Sequence, residues 1–166
     1  RSFRNNLHKA KMQLLVLDPV QAGCKRWPGS ILSCWRNPLS EPKRASLFIT
    51  CLVDFLFPGV AKAMVKVLRH YDVELEFPEN QTCCGQPAFN AGFRGEAREL
   101  ALAFLDVFEG CEAVVSPSGS CVAMVKEYYP ELFSDDEELS GRFQALADRP
   151  WAISQYLTEE LGVTAF

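Results

Sequence analysis

The sequence predicts an α/β fold, a parallel, doubly wound (Rossmann-like) sheet with flanking helices and a site at the C-terminal edge of its strands. Three observations carry that reading. Short β-rich runs alternate with helical stretches from Ala45 onward. The 166 residues, 48% of them hydrophobic, suffice for one ordinary core and are too few for two generous ones. Four cysteines, Cys51, Cys83, Cys84 and Cys121, stand where the predicted strands run out.

The elements follow in order. Ala45-Ser-Leu-Phe-Ile-Thr-Cys51 reads as the first strand, and Pro58-Gly59 opens a helix with Val60, Met64, Val67 or Leu68, and Tyr71 at helical spacing. Val73 to Phe77 is a second strand, stopped by Pro78. Arg94 to Glu109 forms a helix with Ala97, Leu100, Ala101, Phe104, Leu105 and Phe108 on one face, ended by Gly110. Ala113 to Ser116 is a third strand, followed by a helix that begins near Ser118 and stops before Pro130. Asp135-Asp-Glu-Glu138, after Ser134, reads as the negatively charged start of a helix reaching Ala147, and Trp151 to Leu161 as a last helix. Alternating strands and helices imply parallel pairing through right-handed crossovers. In such sheets ligands bind at the shared edge of strand C-termini, so residues 70 positions apart meet there.

Charge divides the chain. Residues 1–44 hold nine Lys or Arg against Asp18 and Glu41, a net +7, which leaves −11 for residues 45–166. The basic part also carries four prolines and no sustained period, so a disordered or non-native extension is expected there, with a boundary near Ala45. Pro19, Pro28 and Pro38 would break the amphipathic helix of a transit peptide, and the scattered charges do not form a nucleic-acid arm. No apolar run approaches the roughly 20 residues of a membrane span. Seven cysteines without a signal peptide or a loop-rich scaffold point to a reducing cytoplasm, where thiols are free to hold metal.

Thiolates converging on one sheet edge form a soft-metal site. Structural zinc usually takes two Cys-x-x-Cys knuckles, and none is present. The adjacent Cys83 and Cys84 do not readily fill two positions on one small ion, yet they reach different irons of an iron–sulfur cluster. Gly85 lets the backbone turn close to such a cluster with an N–H to offer, and the helix starting near Gly119 adds further N–H groups and a positive dipole end. Zinc and unliganded thiols, the latter as a redox sensor or scaffold, stay open beside it. Cys24 and Cys34, with nine residues between them, match no metal spacing, and Cys111 precedes the third strand, so it is expected at the opposite edge as a buried apolar cysteine.

The spacing Cys-x31-Cys-Cys-Gly-x32-Ser-x-x-Cys from Cys51 to Cys121 resembles the cysteine-rich "CCG" domain of heterodisulfide reductase B and glycolate oxidase iron–sulfur subunits. Ser46-Leu-Phe-Ile-Thr-Cys-Leu-Val-Asp54, Gln81-Thr-Cys-Cys-Gly-Gln-Pro87 and Val115-Ser-Pro-Ser-Gly-Ser-Cys121 are more closely similar to the lactate utilisation protein A family. The resemblance covers Ala45 to Phe166. It implies an iron–sulfur, electron-transferring component of L-lactate oxidation to pyruvate, working in the cytoplasm with other subunits of that system rather than as a complete catalyst. It also implies cofactor contacts at Cys51, Cys83, Cys84, Gly85, Ser118, Gly119 and Cys121, with the four cysteines as ligands of a four-iron, 4Fe-4S cluster. An iron–sulfur subunit of the glycolate oxidase or heterodisulfide reductase type is the alternative within the same class.

Two departures follow. The wider family often has Cys-x-x-Cys at the last position, whereas Ser118-Gly-Ser-Cys121 puts a hydroxyl there, and serine binds iron poorly unless deprotonated. Members usually carry two CCG domains, so one domain is expected to be a fragment, a truncated reading frame, or a subunit completed by another chain, for instance as a homo-oligomer. Ser116-Pro-Ser-Gly-Ser120 lacks the leading glycine of a nucleophile elbow, with only His8 and His70 to serve as base. No phosphate-binding glycine motif occurs. Lys62, Lys66 and Arg69 form a basic stripe on the first helix, read as its solvent face and as a contact for any partner near the site.

Overall fold

The computed structural model describes residues 43–165. Cys24, Cys34, His8 and most of the basic segment lie outside them. Lys43 and Arg44 do not: Arg44 opens the first strand, β1 (Arg44–Leu47), and reaches Glu74 at 3.5 Å and Glu76 at 3.2 Å, while Lys43 pairs with Glu160.

After β1 come two helices, α1 (Cys51–Leu56) and α2 (Pro58–His70), then β2 (Glu74–Glu76). Two more helices follow, α3 (Gln86–Asn90) and α4 (Arg94–Phe108), leading to β3 (Val114–Ser116). The chain continues as α5 (Gly119–Ala123), a π-helical turn (Met124–Tyr128), α6 (Tyr129–Leu132) and α7 (Glu137–Ala147). It closes with β4 (Pro150–Ala152), α8 (Ile153–Gln155) and a second π turn (Tyr156–Glu160). The four strands pair in the order β2-β1-β3-β4 and every pairing is parallel, the α/β Rossmann-like class that the alternation predicts. The order runs outward from β1 in both directions, so the switch point lies between β1 and β3.

Both faces of the sheet are covered, and the sequence of β1 shows it. Leu47 and Ile49 pack with Met64, Leu68 and Tyr156 on one side, while Phe48 between them packs with Phe104, Phe108 and Tyr129 on the other. Val114 and Val115 divide the same way. Alternate side chains leave a strand on opposite faces, so a wholly apolar run is what two covered faces require. Phe48 meets Phe104 edge-on at 4.9 Å, and Tyr129 meets Phe143 at 5.5 Å, anchoring the helical layer on that face.

Several expectations are corrected. Regular pairing in β1 stops at Leu47, and Cys51 is the first residue of α1 rather than the last of a strand. On α2 the buried positions are Ala61, Met64, Val65 and Leu68, while Val60 is 45% exposed, so the buried face keeps Met64 and Leu68 but is rotated toward Ala61 and Val65, by less than one residue step. Pro130 does not stop its helix. The π turn shifts the hydrogen-bond register ahead of it, and Pro130 enters at the start of α6, where its missing N–H costs little. Trp151 belongs to β4, whose Pro150 is tolerated because the strand lies at the sheet edge. Asp136 caps α7, accepting the Leu139 N–H at 3.0 Å, whereas Asp135 turns away to Arg98 at 2.7 Å.

Candidate metal centre

Each cysteine arrives from a different strand end. Cys51 begins α1 just after β1, Cys83 and Cys84 lie in the loop after β2, and Cys121 sits in the first turn of α5 after β3. The topology brings all four to the edge beside the switch point. Their sulfurs form two close pairs, Cys51 with Cys83 at 3.3 Å and Cys84 with Cys121 at 3.2 Å, and the thiols of Cys84 and Cys83 hydrogen-bond across the pairs. The set is graded in depth: Cys51 is exposed, Cys83 half-buried, Cys84 and Cys121 buried.

Two side chains hold this edge in shape. Gln81, only 7% exposed, accepts the Ile49 N–H at 2.8 Å and donates to the carbonyls of Leu47 at 3.1 Å and Pro78 at 2.7 Å. It thereby ties the loop carrying the cysteine pair to the end of β1. Behind the pair, the Tyr129 hydroxyl donates to the Cys84 carbonyl at 2.9 Å. Burial first, then the neighbouring thiols, push the Tyr129 hydroxyl well above its ordinary range, so it remains a donor at any physiological pH. Gly85 follows with φ at 80°, where a Cβ would also sit 3.4 Å from the Leu100 Cβ.

The thiols divide into donors and acceptors of protons. Cys83 is held down at about 5, first by the Cys84 thiol and then, against its burial, by the Gly85 N–H and the Cys51 thiol. Cys121 is lowered to about 7, chiefly by the Cys84 thiol, with the Ser118 and Ser120 hydroxyls assisting. Cys51 is pushed up to about 11 by burial and by donating to Cys83. Cys84 is driven well above its ordinary range by its bonds to Cys121 and Cys83 and then by burial. The Leu52 and Gln86 N–H groups act the other way on Cys51 and Cys84, favouring the thiolate. Near neutral pH the edge is thus part thiolate already, with backbone donors in place for more negative charge.

Ser118 lies at this edge, its hydroxyl 3.3 Å from that of Ser120 and bonded to the Cys121 thiol. Gly119 opens α5, and a Cβ there would meet nothing within 4 Å. Among the described residues no group of three or more His, Cys, Asp or Glu side chains is arranged to hold a single metal ion. Cys111 lies at the other end of β3, yet it is half-buried rather than buried, with the Ser46 hydroxyl donating to its sulfur at 3.1 Å. It sits in the turn after α4, where its N–H bonds the Phe108 carbonyl at 3.1 Å and Arg149 bonds the carbonyls of Glu109 and Cys111, the latter at 3.0 Å.

Residues 45–126 match the cysteine-rich CCG domain. The chain is 46% identical over 119 residues to Lactate utilization protein A 2 of Bacillus cereus strain Q1, covering 72% of this chain and 49% of that one. It is 45% identical over 120 residues to Lactate utilization protein A of Bacillus velezensis, covering 72% and 50%. The chain belongs to the lactate utilisation protein A family. It spans about half the length of these curated relatives. No solved structure matches it, and among the described residues no helix is long and apolar enough to cross a membrane.

Within this family member, sequence reasoning named the four thiols, Gly85 and Ser118 but missed Gln81 and Tyr129. Gln81 stood inside a quoted motif, in a polar loop where an amide carries no pattern of its own. Tyr129 was masked by Pro130, which assigned it to the end of a helix rather than to a buried wall.

Proposed function

We propose that Cys51, Cys83, Cys84 and Cys121 ligate an iron–sulfur cluster of the four-iron type. In this reading residues 45–166 act as a CCG domain, the first of a usual two. The chain serves as a cytoplasmic, non-catalytic electron-transfer component of L-lactate oxidation to pyruvate, beside other subunits of the lactate utilisation system. The observation that supports it best is four thiols from three strand ends at one edge, faced by backbone N–H groups.

The chemistry of the donor set suits such a cluster: four thiols, with the Leu52, Gly85 and Gln86 N–H groups favouring their charged forms. Thiolates on separate irons stand further apart than the 3.3 Å and 3.2 Å of these pairs, so each pair would open on loading. Bound there, the group would supply reversible one-electron storage. The protein's part would be to hold Cys83 and Cys121 as thiolates, to give up the Cys51 and Cys84 protons to solvent on loading, and to favour charge on sulfur through the Leu52, Gly85 and Gln86 N–H groups. Ser118 would act through its bond to Cys121 and not as a ligand. The name of the relatives supports lactate as the substrate of the larger system.

The two close sulfur pairs favour one further reading, a metal-free dithiol domain acting as a redox sensor or scaffold. Anaerobic reconstitution with ferrous iron and sulfide separates the two. About four irons and four sulfides per chain are expected; a content below about one of each, with no broad visible absorption, sinks the cluster.

A further inference from the structure

Eight large apolar side chains are exposed among the described residues, and five of them fall between positions 52 and 60. Leu52 is 58% exposed, Phe55 78%, Leu56 53%, Phe57 55% and Val60 45%. They begin one residue after Cys51, the exposed thiol. Buried Val53 fixes the roll of α1, and the Val60 N–H bonds the Phe57 carbonyl at 2.9 Å, so the patch is held by the fold. With aromatic side chains presenting ~150–250 Å² each, the five together leave on the order of 500 Å² of apolar surface in water. That is the size of the largest patch on a typical monomer, which is often a functional surface.

The charge setting narrows the partner. Within Cys51–His70, Lys62, Lys66 and Arg69 stand against Asp54, a net +2, in a domain whose residues 45–166 sum to −11. The geometry points to α1 and the start of α2 as the docking surface for an acidic redox protein, which would bring its own electron centre against Cys51. This rests on the electron-transfer reading above and names the partner of that same site. In a symmetric dimer of this chain the patch would face its own net +2 rather than an opposite charge. A contact of ~500 Å² per side also falls short of the ~800 Å² per partner of a stable complex and suits the brief encounters of electron carriers. α1 has six residues, too short a helix to lie in a lipid interface by itself.

The test measures binding of the full chain, metal-free and cluster-loaded, to two probes by calorimetry: a plant-type ferredoxin, which is acidic, and cytochrome c, which is basic. Ferredoxin is expected to bind and to weaken as salt rises, with cytochrome c failing to bind. Phe55→Asp should weaken ferredoxin by about tenfold or more, and Lys62→Glu with Lys66→Glu should weaken it at low salt. Phe93→Asp, an exposed aromatic outside the patch, should leave affinity unchanged. Unaltered midpoints of urea unfolding would show that the variants remain folded. Equal affinity of Phe55→Asp and the parent chain overturns the proposal, as does preference for cytochrome c. So does a parent dimer that Phe55→Asp dissolves, or retention on anionic vesicles lost in that variant. Loss of binding by Phe55→Asp in a chain that never takes up iron would refute the cluster and leave the docking surface standing; a loaded cluster with no Phe55 effect would do the reverse.

Discussion

Replacing Tyr129 by phenylalanine removes one hydroxyl from the wall behind the cysteine pair and leaves the ring in place. Tyr129 is fully buried and Cys84 is 2% exposed, so the Cys84 carbonyl loses its donor at a site closed to bulk water. The ring packing against Phe104 at 5.7 Å and Phe143 at 5.5 Å is retained, so no cavity term enters. An unsatisfied buried acceptor costs about 1–3 kcal/mol. With a urea m-value of roughly 2 kcal/mol per molar, the middle of that range lowers the unfolding midpoint by about 1 M. A second readout separates a loop anchor from an ordinary core residue. In the metal-free chain, labelling by a thiol reagent should be fast at Cys51 and slow at Cys84, and Tyr129→Phe should accelerate Cys84 selectively because its loop is no longer held. A midpoint unchanged within about 0.3 M, or a lowered midpoint with Cys84 labelling unaltered, would refute the anchoring role.

Gln81→Met keeps the length of the side chain and strips an acceptor from Ile49 and a donor from Leu47 and Pro78; a loss of about 2–3 kcal/mol is expected in urea unfolding, with lower iron uptake on reconstitution. Gly85→Ala forces φ of 80° on a residue with a Cβ, 3.4 Å from Leu100; the cost of about 1–2 kcal/mol should be read by thermal unfolding. Arg142 and Arg98 hold the carboxyls of Glu109 and Asp135 below the usual range. Their folded values lie below the unfolded ones, so this stabilisation is present above about pH 4.5 and is lost as pH falls through the folded values. Glu109→Gln with Asp135→Asn should therefore melt below the parent at pH 6, a difference that shrinks as pH falls through the folded values.

The elements that were legible in sequence are those long enough to show a period or terse enough to show a break. α4 was legible because fifteen residues repeat their apolar face, and β1 because it falls in the β-rich run that starts at Ala45 and continues past the strand's end through Phe48 and Ile49. β4 was not, since Pro150-Trp151-Ala152 is too short for period 2 to register and its proline argues against a strand unless the edge position is known. The π turns escaped for a related reason. One inserted residue changes which carbonyl faces Pro130 without changing the residue types around it.

The thiols were legible for topological reasons, and the misplaced face of α2 shows where that logic stops. Strand order alone brings Cys51, Cys83, Cys84 and Cys121 to one edge, because each follows a strand and parallel strands share their ends. Periodicity then assumed that every apolar residue on α2 serves the core, and so it turned Val60 inward. In the fold the core takes Ala61, Met64, Val65 and Leu68, and Val60 joins Phe57, Leu56, Phe55 and Leu52 in solvent beside Cys51. A helix period records only that a face is apolar, and cannot say whether this protein's own sheet or another surface is meant to cover it. Where the apolar residues exceed what one face can bury, as they do between positions 52 and 60, the excess measures an interface that the single chain does not contain.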